Sequence, residues 1–197
     1  MSKARLEAFS DGVIAILITI MVFDIKAPKG SDWSALQTVI PIVLSYLMSF
    51  LYLGTYWNNH HHLLHVAKRI NGSVLWANLH LLFWLSLFPF TTSWLHVSGF
   101  ETLPAALYGI VLFLAAVAYM ILQGTIIRAE GPQSTLRNAI GNDRKGKTSL
   151  ALYLAGIGMA YVDSRIAIGI YAAVALIWLI PDRRIESQLE RELPQPE

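Results

Sequence analysis

RLEAFSDGVIAILITIMVFDI, running from Arg5 to Ile25, decides the fold class. Its first seven positions carry Arg5, Glu7, Ser10 and Asp11, while from Gly12 to Phe23 only Thr19 has a side chain that hydrogen-bonds. At 1.5 Å per residue the stretch forms a helix of about 30 Å, the thickness of the hydrocarbon layer. Lys3 and Arg5 ahead of an apolar run also suit a signal peptide. No small-x-small cleavage site follows, however, and the run continues to Ile25, so we read it as a retained first span.

Working outward, the same apolar density recurs. Hydrophobic residues make up 55% of the 197 residues and charged ones 14%, with mean hydropathy +0.50. A soluble domain carries about 25% charged residues. Six segments read as spans, at about 5–25, 36–57, 74–95, 103–124, 148–162 and 166–181. The fifth is short and contains Gly156 and Gly158, and a tight hairpin through Asp163 and Ser164 would join it to the sixth. Pro41 and Pro89 fall inside expected spans, whereas Pro104 suits a first helical turn and Pro181 a stop.

The distribution of charge tests this count. With the N-terminus inside, the inner segments hold Lys3, Arg5, Lys68, Arg69, Arg128, Arg137, Arg144, Lys145, Lys147, Arg183, Arg184 and Arg191. Only Lys26, Lys29 and Arg165 remain outside. That asymmetry obeys the positive-inside rule and places both termini in the cytoplasm. Residues 1–181 then form a membrane domain and residues 182–197 a short cytoplasmic tail, helical from Arg183 to Glu192. Trp33, Trp57, Trp94 and Trp178 fall near span ends, as an aromatic belt does.

Two polar clusters lie at membrane depth, where such residues are costly. Arg5 and Asp11 are six residues apart and point to different sides of a helix, so each needs a partner on another span or sits at the interface. The second cluster is Trp57-Asn58-Asn59-His60-His61-His62-Leu63-Leu64-His65. His61 and His65 have i, i+4 spacing, but no carboxylate or cysteine nearby completes a metal site. Hydrogen-bonded histidines are the simpler reading, with Asn78 and His80 on the third span within reach. With no cysteine, no nucleophile elbow and no phosphate loop, the chain offers no enzyme chemistry and no cofactor site. A net charge of +2 gives no case for nucleic acid.

The run Arg5-x-x-x-Phe9-Ser10-Asp11, continued by Gly12-Val13-Ile14-Ala15-Ile16 and Thr19, resembles the signature of the lysosomal potassium channel family, transmembrane protein 175, in its small prokaryotic form. Trp57-x-x-His60-His61, Asn78-Leu79 and Phe88-Pro89-Phe90 extend the resemblance over about the first 95 residues. It implies a potassium-selective cation channel in the cytoplasmic membrane. Its partners would be potassium ions, the lipid bilayer and three further copies of the chain, with the first span of each lining a central pore. It further implies an apolar constriction at Ile16, five positions beyond Asp11, with later layers at Ile20 and Phe23. The third layer departs from the leucine usual in the family. These positions are i, i+4 and i+7, one stripe of a helix, with Thr19 beside it. Arg5, Phe9, Ser10, Asp11, His60, His61 and Asn78 match the family's polar network behind the pore helix. A proton-coupled secondary transporter is the alternative, though no inverted repeat is visible.

Overall fold

The computed structural model describes residues 2–131, 134, 136–137 and 143–179, and those residues fold as helices and connecting turns. Helix α1 spans Lys3–Met21 and tightens into a 3-10 turn over Val22–Asp24. A short helix α2, Trp33–Gln37, precedes α3, Ile40–Val66. Then come α4, Gly72–Ser86; α5, Phe88–Val97; α6, Thr102–Glu130; α7, Arg144–Ala160; and α8, Ser164–Leu179.

Among the described residues four helical stretches are long and apolar enough to cross a membrane: Lys3–Asp24, Ile40–Val66, Gly72–Val97 and Thr102–Glu130. The segments expected as fifth and sixth spans carry the helices α7 and α8, of 17 and 16 residues, both shorter than the four stretches above. At 1.5 Å per residue each reaches about 25 Å. The tail at 182–197, with Pro181, Arg183, Arg184 and Arg191, lies outside the described residues.

Both prolines expected inside spans instead start helices. Pro41 occupies the first turn of α3, and Pro89 that of α5, where a missing N–H leaves no helical bond unmade. The third stretch is therefore two helices hinged at Leu87, whose N–H still reaches Trp84 O at 3.3 Å. Helix α3 also continues well beyond the expected end at residue 57, carrying the whole histidine cluster in helical register. Asp32 caps α2, and the Ala35 N–H and Ser34 hydroxyl hold its carboxyl below the ordinary carboxylate range.

Helix α6 packs against α4, α5, α7 and α8, and α1 against α3, α4 and α5. In the first group Tyr171 of α8 is wedged between two glycines. A Cβ on Gly109 would stand 2.0 Å from its hydroxyl, and one on Gly156 2.4 Å from its ring. Held on both sides, the ring cannot swing away from either. Between the groups runs a buried hydroxyl chain. Thr92 Oγ1 donates to Phe88 O at 2.6 Å, so its one proton is committed. Ser49 must then donate to Thr92 at 2.6 Å, and Tyr108 to Ser49 at 2.9 Å.

Gly156→Ala should therefore overpack the Tyr171 site and destabilise the subunit by about 1–3 kcal/mol. The melting temperature of the detergent-solubilised protein reads the loss. Gly124→Ala, where an added Cβ meets nothing within 4 Å, should gain up to about 1 kcal/mol from helix propensity. Equal shifts in the two variants would contradict the wedge.

Candidate functional site: the first helix and its polar latch

Helix α1 has two unlike sides. Leu6, Ser10, Ile14, Leu17 and Met21 recur every three or four residues and are buried against the subunit. The other side is bare: Phe9 is 49% exposed, Ile16 62%, Ile20 50% and Phe23 78%. With 3.6 residues per turn these four fall within a stripe about 60° wide. Thr19 borders the stripe, and its hydroxyl donates back to Ala15 O and Ile16 O, both at 3.0 Å. Its proton is spent on its own helix, which lets a threonine sit in an apolar wall.

The buried side is fastened by a relay of three fully buried polar groups. Ser10 Oγ donates to Leu6 O at 2.9 Å. Asn78 Nδ2, from α4, donates to Ser10 Oγ at 2.9 Å. Asn78 Oδ1 can only accept, so His60 Nε2 from α3 is the donor across their 2.7 Å contact. That fixes the imidazole as the Nε2–H tautomer and leaves its buried Nδ1 without a partner among the described residues. One link thus joins three helices.

A second set of contacts runs along the rim of the α1–α3 seam. Lys3 Nζ donates to His65 O, His61 Nδ1 meets Glu7 Oε1 at 2.9 Å, and Trp57 Nε1 donates to Asp11 Oδ1 at 3.0 Å. Positions 3, 7 and 11 of α1 meet 65, 61 and 57 of α3, one turn per rung in antiparallel register. On α3 the rings of Trp57, His61 and His65 form a stacked column, with centroids 6.4 Å and 6.2 Å apart at 27°.

The structure brings Ser10, His60 and Asn78 together, and Asp11 and His61 into the rim beside them. It does not bring Arg5 or Phe9 into either set. Both are exposed, on the same side of α1 as Ile16. Glu7 and Lys3 are partners that the sequence reading did not assign, and Trp57, read as a belt residue, is committed to Asp11. The four-residue spacing on both helices was the available signal. His80 is not in the relay either; it accepts from Trp84 Nε1 at 2.9 Å within α4. Among the described residues no three His, Asp or Glu side chains are grouped to hold a metal.

These features define a multi-span helical membrane protein organised around a first helix latched on one side and bare on the other. The family described as the endosomal/lysosomal potassium channel TMEM175 matches residues 5–89, the segment that carries both the latch and the stripe. A potassium channel of Chryseobacterium sp. (strain P1-3) is 55% identical over 190 residues, covering 96% of this chain and 99% of that one. A potassium channel of Streptomyces collinus is 31% identical over 188 residues, covering 89% and 91%. The crystal structure of a lysosomal potassium-selective channel TMEM175 homolog from Chamaesiphon minutus superposes with a TM-score of 0.80 at 25% identity, covering 91% of this chain and 97% of that one. The chain belongs to the TMEM175 family.

Asn78→Leu removes both amide contacts and strands His60 Nε2 in the core. It should cost about 1–3 kcal/mol, read as a lower melting temperature in detergent. His61→Gln, which breaks only a part-exposed rung, should cost less than about 1 kcal/mol. The reverse order would mean that the rim, and not the relay, holds α1.

Proposed function

We propose that this chain is the subunit of a potassium-selective cation channel and that the bare side of α1 lines its pore. One observation carries the reading: a continuous apolar stripe, Ile16, Ile20 and Phe23, stands exposed on a helix whose opposite side is fully committed to its own subunit. The potassium-channel relatives that match almost end to end support it. A single such helix cannot enclose a conduit. Four chains about a common axis would stack their stripes into apolar rings, and the assembly is accordingly read as a homotetramer. The permeant ion is K⁺.

In this reading the chain crosses the cytoplasmic membrane of its cell six times, with both termini inside. Residues 1–181 form the channel domain and 182–197 a tail. The two shorter helices, α7 and α8, complete the count. Arg144, Lys145 and Lys147 in the first turn of α7 suit an inner interface, where long cationic side chains extend toward headgroups.

An ion entering an apolar ring sheds water and meets no replacement ligand, and such a constriction can also gate by dewetting. Potassium loses its shell at lower cost than sodium, so the ring discriminates by dehydration. Ser10, Asp11, His60, His61 and Asn78 then serve to hold the ring's helix in place; they do not touch the ion. Phe23 makes the outermost ring wider in surface and narrower in bore.

The test is cation flux into proteoliposomes. Potassium uptake should outpace sodium, and Ile16→Asn, which supplies an amide ligand at the constriction, should erode that preference. An unchanged ratio would show that selection happens elsewhere. Phe23→Ala should raise potassium flux with little change in the ratio; a drop in flux would mean the ring is not in the conduction path. Native mass measurement of the solubilised protein should return four chains.

A further inference from the structure

We propose that Arg5 makes the channel rectify inward, its four copies setting a positive ring at the inner mouth; this rests on the pore reading above. The argument starts from where Arg5 stands. It lies on the side of α1 that carries Phe9, Ile16, Ile20 and Phe23, within the same stripe about 60° wide. It is exposed and has no hydrogen bond or ion pair to any described residue of its own subunit.

The carboxylates near it face away from the stripe. Glu7 and Asp11 keep their charge but project from the other side of the helix into the α1–α3 seam, where they meet His61 and Trp57. Lys3, whose Nζ donates to His65 O, is a further positive charge at this end. Helix α1 has no acidic residue in its first turn, and its N-cap Ser2 makes no side-chain cap bond. The N–H groups of that turn therefore contribute the positive end of the helix dipole at the same level as Arg5. By number both ends of α1 balance, Lys3 and Arg5 against Glu7 and Asp11 at the inner end and Lys26 and Lys29 against Asp24 and Asp32 at the outer end. The asymmetry therefore rests on orientation, because Arg5 alone of the four inner charges lies in the exposed stripe.

Distance and screening decide whether the ring is felt. Arg5 lies about 16 Å along the helix from Ile16. The Debye length is about 30 Å at 0.01 M salt and about 3 Å at 1 M. At low salt the ring's field spans the inner half of the pore and depletes potassium there, starving outward current of its supply. Inward current draws on an outer mouth without that field. At high salt the difference vanishes.

The experiment is single-channel recording in planar bilayers with symmetric KCl at about 0.01 M and about 1 M. Wild type should pass roughly twofold or more inward over outward current at equal and opposite voltages in low salt, and equal currents in high salt. Arg5→Gln should give equal currents in both, and Arg5→Lys should keep the asymmetry. The chain has no cysteine, so Arg5→Cys can be modified after assembly with membrane-impermeant thiol reagents of either charge. The cationic reagent should restore rectification and the anionic one reverse it, and the chamber in which they act identifies the inner side. Equal wild-type currents in low salt overturn the inference while leaving the pore intact. Rectification that survives Arg5→Gln, or ignores the charge on Arg5→Cys, overturns it too. No potassium current from wild type overturns the pore reading, and the inference falls with it.

Discussion

A polar side chain within a bilayer must find its partner inside the protein, because lipid offers none. The relay from His60 through Asn78 to Ser10 answers that requirement by linking the three side chains to one another and to Leu6 O. Its geometry dictates much else. Ser10 must face α4, which turns Leu6, Ile14, Leu17 and Met21 inward with it and sends Phe9, Ile16, Ile20 and Phe23 outward. The bare stripe is thus the complement of the latch. Neither side of α1 can be re-aimed without stranding a buried hydrogen-bonding group.

The helix break at Leu87 gives the latch its backing. Phe88, buried at the start of α5, meets the rings of Tyr52, Tyr56 and Tyr108 at 6.2, 6.5 and 6.2 Å in edge-on contacts. Two of those tyrosines are on α3, the helix that also carries His60. Tyr108 extends the contact to α6 and its glycine-lined seat for Tyr171. Aromatic packing of this kind is directional as well as apolar, so the position of α3 is set by the helices behind it.

Much of this was legible in the sequence, and the misses have physical reasons. Apolar runs and the lopsided distribution of Lys and Arg announced a multi-span helical protein. The buried polar trio was visible as costly residues that needed partners. Arg5 and Phe9 join that trio only through the resemblance of the motif that contains them, and the helical period carries both to the other side of α1. Trp57 was read as an interface marker because residues 58–62 look like the end of a span. The helix continues because its polar side chains find partners on α1. Pro41 and Pro89 looked interior because apolar composition does not mark where a helix begins.

The rim of the seam has one more property, which is that it works like the bitting of a key. Its rungs are all different: an ammonium on a carbonyl, a carboxylate on an imidazole, a carboxylate on an indole. Slide α1 by a single turn, about 5.4 Å, and Glu7 comes opposite Trp57 while Asp11 comes opposite Leu53, which is fully buried. A seam of identical residues would accept that slip; this one puts a carboxylate against hydrocarbon. A slip of the first two long helices in that direction is thereby penalised by chemistry at their margin.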